Sequence, residues 1–192
     1  MKTLLALSLM ALATGAQAHL TFFEGTFSPE APGATGTGTL FMAYDEDGRT
    51  LTINATWSGL SGNTSTAHIH CCTADPNAGT AGVALAQGGV LPGFPLGASS
   101  GSYERVIDLS QTNQYGGAFL SSSGGTAAAA EARLIANLAS GNAYFNIHST
   151  TFGGGEVRAF VSVVPEPASV ALMLGGLGLV SAAVRRRAAV QP

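Results

Sequence analysis

The sequence predicts a mainly β domain: an antiparallel Greek-key sandwich or barrel with one inserted helix, an N-terminal signal helix and a C-terminal transmembrane helix. Three observations carry that prediction. Short segments in the middle of the chain alternate apolar and polar residues with a period of two, as strands with one buried face do. Clusters of glycine, proline and serine punctuate them at the spacing of sandwiches and barrels. One window, Thr126–Gly141, departs from the pattern with a helix-favouring density of alanine, leucine and glutamate.

Taken in order, the chain opens "MKTLLALSLMALATGAQAHL". Lys2 supplies a positive start, Leu4–Ala13 an apolar run, and Ala16 and Ala18 the small residues that signal peptidase accepts. Residues 1–18 therefore read as a signal peptide, with the mature chain starting at His19. "GTLFMAY" (Gly38–Tyr44) is a strand and "DEDG" (Asp45–Gly48) the hairpin turn after it. The spacing of those acids does not fit an EF-hand calcium loop. In the next strand Leu51, Ile53, Ala55 and Trp57 share one face and Thr50, Thr52, Asn54 and Thr56 the other. "AHIH" (Ala67–His70) and "GSYERVIDLS" (Gly101–Ser110) are further strands. In the Thr126–Gly141 helix, Thr126 caps the start, Gly141 ends it, and Leu134, Ile135 and Leu138 form the apolar stripe. Asn142–Ser149 and Gly155–Val164 close the domain as a pair across the turn Phe152–Gly155.

The end of the chain reads "VVPEPASVALMLGGLGLVSAAVRRRAAVQP". Val164-Pro165-Glu166-Pro167 breaks regular structure, and residues 168–184 carry no charge. Arg185, Arg186 and Arg187 then close the segment. Seventeen residues make roughly 25 Å of helix, close to a bilayer core, and the arginines stay on the cytoplasmic side. This order closely resembles the PEP-CTERM sorting signal of Gram-negative bacteria. The resemblance implies recognition by exosortase at Pro165, Glu166 and Pro167. It also implies an inner-membrane-anchored intermediate, removal of residues 165–192, and delivery to the cell surface or an exopolysaccharide matrix.

Between those ends lies one domain, residues 19–164. It has no lysine; Arg49, Arg105, Arg133 and Arg158 face ten acids, a net of about −6. A nucleic-acid partner, which demands clustered lysine and arginine, is excluded. An acidic surface rich in glycine, serine and threonine suits an exported protein.

The chemistry concentrates in "TAHIHCCTADPNAG" (Thr66–Gly79), which holds the chain's two cysteines. Residues two apart on a strand point the same way, so His68 and His70 share a face opposite Ile69. If the strand continues, Cys72 joins the histidines and Cys71 joins Ile69. His148 lies on a late strand, on the face of Asn146 and Tyr144, and pairing of the two strands gathers three imidazoles. The bland reading is that these histidines hold loops by donating to backbone carbonyls. The alternative is a mononuclear copper or zinc site of His68, His70 and His148 with Cys72 as fourth ligand. In that case the imidazole nitrogens lie within roughly 3–5 Å of one another. For the cysteines, a vicinal disulfide, metal ligation and a bond to another chain are all open, the first being favoured in an oxidising compartment. His19, an N-terminal histidine able to chelate copper, stands without support from other residues. No serine–histidine–aspartate arrangement is discernible, and the expectation is a protein that is not an enzyme.

"TWSGLSGNTSTAHIH", "GTAGVAL" and "LIANLASGNAYFNIHSTTFGGGEVRAFV" together resemble the CHRD domain, over about Thr39 to Val163. The most specific pieces are Ala67–His70, Asn146-Ile147-His148 and Gly155–Arg158. The resemblance implies an immunoglobulin-like or superoxide-dismutase-like β fold, no enzyme activity, and a role as a surface or matrix binding component. Cys71-Cys72 replaces the glycine usual after His70. The His-x-His pair with a late-strand histidine is also similar to part of the copper site of copper-zinc superoxide dismutase. No further histidine lies between Cys72 and His148 to complete a dinuclear site.

Overall fold

The computed structural model describes residues 19–86 and 89–164. The signal segment with Ala16 and Ala18, and the tail with Pro165, Glu166, Pro167 and the expected span, lie outside them. No helix among the described residues is long and apolar enough to cross a membrane.

Eight strands form one antiparallel sheet curled into a half-barrel. They are β1 (Leu20–Pro29), β2 (Thr37–Asp45), β3 (Thr50–Ser58), β4 (Thr64–Cys71), β5 (Val83–Leu85), β6 (Gly101–Asp108), β7 (Ala143–Ser149) and β8 (Val157–Val164). Their order is β5-β4-β7-β8-β1-β2-β3-β6. Consecutive strands β1, β2 and β3 pair as a meander. The chain then crosses to β4, which pairs with the much later β7. That crossing brings the sequence-distant histidines together.

The concave face is the core. Leu51, Ile53, Ala55 and Trp57 of β3 are buried, as the alternation predicts. Phe23 lies opposite Met42, Gly25 opposite Leu40 and Phe27 opposite Gly38 across β1 and β2. In the last two pairs a large residue faces a glycine, which lets the side chains interdigitate. Gly38 is forced. A Cβ there would fall on the Thr56 carbonyl and lie 2.8 Å from the Trp57 Cα, both backbone atoms that cannot turn aside. On β4 and β7 the inward residues are Ala67, Ile69 and Cys71 against Ile147, Phe145 and Ala143.

The predicted helix is α2 (Ala127–Ala139). Thr126 Oγ1 accepts from the Ala129 amide at its start, and Gly141, at φ +75°, turns the chain out at its end. Ala130, Leu134 and Leu138 are fully buried, while Ile135 packs only partly against the core. Glu131, also buried, accepts from Arg49 Nε at 2.7 Å and Tyr44 OH at 2.9 Å, tying the helix to the β2–β3 hairpin. A shorter helix, α1 (Gly117–Ser122), precedes it and was not expected. Nor were β1, where aromatic Phe22 and Phe23 adjoin on opposite faces, or the three-residue β5.

The free edge of β4 is covered. β5 pairs with it at Ile69 and His70. Beyond that, the Leu91 amide donates to the Ala67 carbonyl at 2.9 Å, and Gly97 to Thr64 at 2.9 Å. This irregular strip, with the loop Gly79–Gly82, lays a second layer of backbone beside the convex face of β4 and β7. Every residue of β7 is consequently buried, whichever way it points.

Candidate metal centre

The convex face of β4 carries Thr66, His68 and His70; that of β7 carries His148, Asn146 and Tyr144, directly opposite in the same order. Thr66 faces His148, His68 faces Asn146 and His70 faces Tyr144. Strand parity therefore gathers the three imidazoles as the sequence implied. Ring centroids lie 4.8 Å apart for His68 and His148, 5.3 Å for His68 and His70, and 6.3 Å for His70 and His148. One nitrogen from each ring lies within 4.8 Å of the other two, inside the separation expected from sequence.

The hydrogen bonds decide where the ring protons sit. His70 Nδ1 and His148 Nδ1 each lie 2.8 Å from a backbone carbonyl, of Ala81 and Gly153 respectively. A carbonyl only accepts, so both Nδ1 atoms carry hydrogen and both Nε2 atoms of the neutral rings carry lone pairs. Thr66 Oγ1 donates to the Gly89 carbonyl. Its single hydrogen is spent there, so it accepts from His68 Nε2, 3.2 Å away. His68 is thereby the opposite tautomer, with its lone pair on Nδ1. His68 Nδ1, His70 Nε2 and His148 Nε2 are the nitrogens left buried without a partner.

Burial favours the uncharged form of His68 and His70. Desolvation, then the neighbouring His148 and His70, pushes His68 down to about 4. Desolvation also lowers His70. Three imidazoles whose other nitrogens are held by carbonyl or hydroxyl oxygens form a donor set suited to zinc or copper, oriented as metal-ligating histidines usually are. A tetrahedral ion at 2.0–2.1 Å needs nitrogens about 3.4 Å apart, so modest ring rotation closes the set.

Cys72 does not complete it. β4 ends at Cys71, and the strand parity that placed Cys72 beside the histidines ends there too. The two cysteines are joined to each other in the vicinal disulfide favoured from sequence, which leaves no thiolate to bind an ion. The groups among the described residues able to hold a metal reduce to the three histidines.

Some of the surrounding residues carried no signal. Thr66 repeats the parity of His68 and was readable. Glu30, just past the unrecognised β1, was not. It accepts from Asn146 Nδ2 and lies 3.6 Å from Arg158 Nη1. Burial raises its carboxyl above the usual range, opposed by Arg158, His148 and Asn146.

Comparison with known proteins gives two matches. The family model described as the CHRD domain covers residues 11–161, and the one described as the PEP-CTERM protein-sorting motif covers residues 163–187. No curated protein matches the chain, and no solved structure does.

Proposed function

The chain belongs to the CHRD-domain family, and from that premise we propose that it is a non-catalytic envelope protein whose β domain binds one copper or zinc ion through His68, His70 and His148. The setting is given by the sorting motif: an exosortase substrate, exported in a Gram-negative bacterium through a membrane-anchored intermediate. One observation carries the metal. Three lone-pair nitrogens from two paired strands are buried together without a partner, while the other nitrogen of each ring is hydrogen-bonded. Leaving buried acceptors unsatisfied costs about 1–3 kcal/mol each, and a cation satisfies all three at once. Binding rather than catalysis is favoured because Glu30, a carboxylate beside the cluster, is engaged by Asn146 and Arg158.

The test is the metal content of protein purified from the envelope, and of metal-free protein equilibrated with micromolar copper or zinc. The expected result is one ion per chain, lost on His68→Ala, His70→Ala or His148→Ala. Protein that retains neither metal at micromolar concentration overturns the reading.

A second reading, a matrix-binding component that engages exopolysaccharide, draws on another surface. Phe41 and Phe160 line an open groove across β8, β1 and β2 with Thr26, Thr39, Ser162 and Asn77. Aromatic faces beside hydroxyl and amide groups suit a sugar chain. Retention of labelled exopolysaccharide by wild type, lost in Phe41→Ala, supports it; equal retention by both removes it.

A further inference from the structure

Asn146 occupies the centre of the histidine face without being one of its ligands. It lies directly opposite His68 in the β4–β7 ladder and two residues before His148 on the same side of the sheet. Opposed residues of an antiparallel pair hold their Cβ atoms about 4.5–5.5 Å apart. Asn146 is 1% exposed. Its amide nitrogen donates to the Glu30 carboxylate. Because a carboxylate only accepts, this bond fixes the flip of the amide, nitrogen toward Glu30 and oxygen away from it. That oxygen, Oδ1, is buried without a partner.

Glu30 is held in turn. Arg158 Nη1 lies 3.6 Å from its carboxylate and donates to the Gly79 carbonyl at 2.7 Å. Gly79 begins the short loop whose Ala81 carbonyl orients His70. The amide and one ligand ring are thus fixed by a single connected network.

Three imidazoles leave a four-coordinate ion one position short. No aspartate, glutamate or cysteine among the described residues joins the three histidines within reach of one ion, so none of these side chains supplies the fourth ligand. A metal-bound water is a stronger donor than free water, because the ion draws charge from its oxygen. Asn146 Oδ1 is an acceptor beside the cluster that no protein donor satisfies. Resting on the reading that the three histidines hold a metal, we propose that the fourth ligand is an exchangeable water donating to Asn146 Oδ1, with Glu30 and Arg158 as positioning residues that fix the amide.

The test uses the full chain loaded with cobalt(II), whose visible bands report coordination, and azide as a competing ligand. Wild type is expected to take up one cobalt with four-coordinate bands that shift on adding azide. Asn146→Ala keeps three histidines and still binds cobalt, but about 10–100-fold more weakly, with its azide midpoint displaced. Glu30→Gln, whose side chain offers both donor and acceptor, moves both quantities in the same direction by less. A merely structural Asn146 would leave the azide midpoint where it is. Wild-type bands indifferent to azide overturn the proposal, as does an Asn146→Ala protein equal to wild type in cobalt affinity and azide response. Should that variant fail to fold, Glu30→Gln decides: unchanged affinity and midpoint overturn it. A wild type that takes up no cobalt brings down the parent reading and the proposal together.

Discussion

Acidifying the metal-free protein reports directly on the burial of His68. Its ring titrates at 6.5 when free and at about 4 in the fold, chiefly because burial penalises the charged form. Between those values the unfolded chain takes up a proton that the folded chain refuses, so stability falls as pH falls from 6.5 toward 4 and levels off below. At 1.36 kcal/mol per pH unit the full shift is worth at most about 3 kcal/mol. Partial access of water to the rings trims this to about 1–2 kcal/mol. Several groups face the same space: His70 and Tyr144 from the two strands, His148, and beyond them Glu30 and Arg158. A single pH curve mixes them all. The assay is therefore a difference: urea unfolding of metal-free wild type and His68→Gln at steps from pH 7.5 to 4. Glutamine stays neutral and can still donate to Thr66. Wild type is expected to lose about 1–2 kcal/mol relative to the variant over that range. Parallel curves would refute the argument that His68 is held neutral by its surroundings.

Four further outcomes are expected. Zinc or copper at a hundredfold excess over its dissociation constant adds about 2.7 kcal/mol of stability, a rise in Tm of about 5–11 °C for a domain of this size by calorimetry, and His148→Ala abolishes that rise. Gly38→Ala, by driving a Cβ onto the Thr56 and Trp57 backbone, destabilises by at least about 1–3 kcal/mol in denaturant unfolding. Thr126→Ala removes the cap that accepts from Ala129 and costs about 1 kcal/mol in the same assay. Replacing Pro165, Glu166 and Pro167 with alanine leaves a longer, membrane-retained form by mass and fractionation; unchanged mass and location would make the segment an ordinary anchor.

What could be read from sequence was whatever rests on period. β3 shows a clean alternation because one of its faces meets the core and the other meets solvent. The same rule placed His68 with His70, and His148 with Asn146 and Tyr144, before any pairing was known. The rule gave no warning of its own limit at Cys72, because parity holds only while the strand lasts and β4 stops at Cys71. β1 escaped for a different reason. It sits between β2 and β8, and its inward row is Phe23, Gly25 and Phe27, with a glycine where the pattern needs an apolar side chain. That glycine belongs to the packing, since a Cβ there would fall on the Phe160 carbonyl of β8 and crowd Val161. With β1 unread, Glu30 at its end could not be placed beside Asn146. β5 is too short to display a period, and α1 begins on Gly117, a residue that argues against a helix.

The distribution of unsatisfied atoms separates the two roles that β7 plays. Among the described residues six buried side-chain polar atoms lack a partner: Trp57 Nε1, His68 Nδ1, His70 Nε2, Asn146 Oδ1, His148 Nε2 and Glu156 Oε2. Four of the six lie on one face of two paired strands. Folds normally satisfy buried polar groups and leave few exceptions, and exceptions arising from local packing would have no reason to gather. The inward face of β7, with Ala143, Phe145 and Ile147, accounts for the core by itself. The outward polar row adds nothing to that core and is nonetheless covered by backbone from Gly79–Gly82, Gly89 and Gly153. That cover hydrogen-bonds to one side of the site, at His70 Nδ1, His148 Nδ1 and Thr66, and leaves the side the rings share untouched. All four atoms left over are acceptors: three nitrogen lone pairs and one amide oxygen. Such a set repels itself mildly and attracts a cation with its bound water strongly. Hydrophobic packing explains why the sheet curls; the proposed ion with its bound water is the partner that would satisfy these four buried acceptors together.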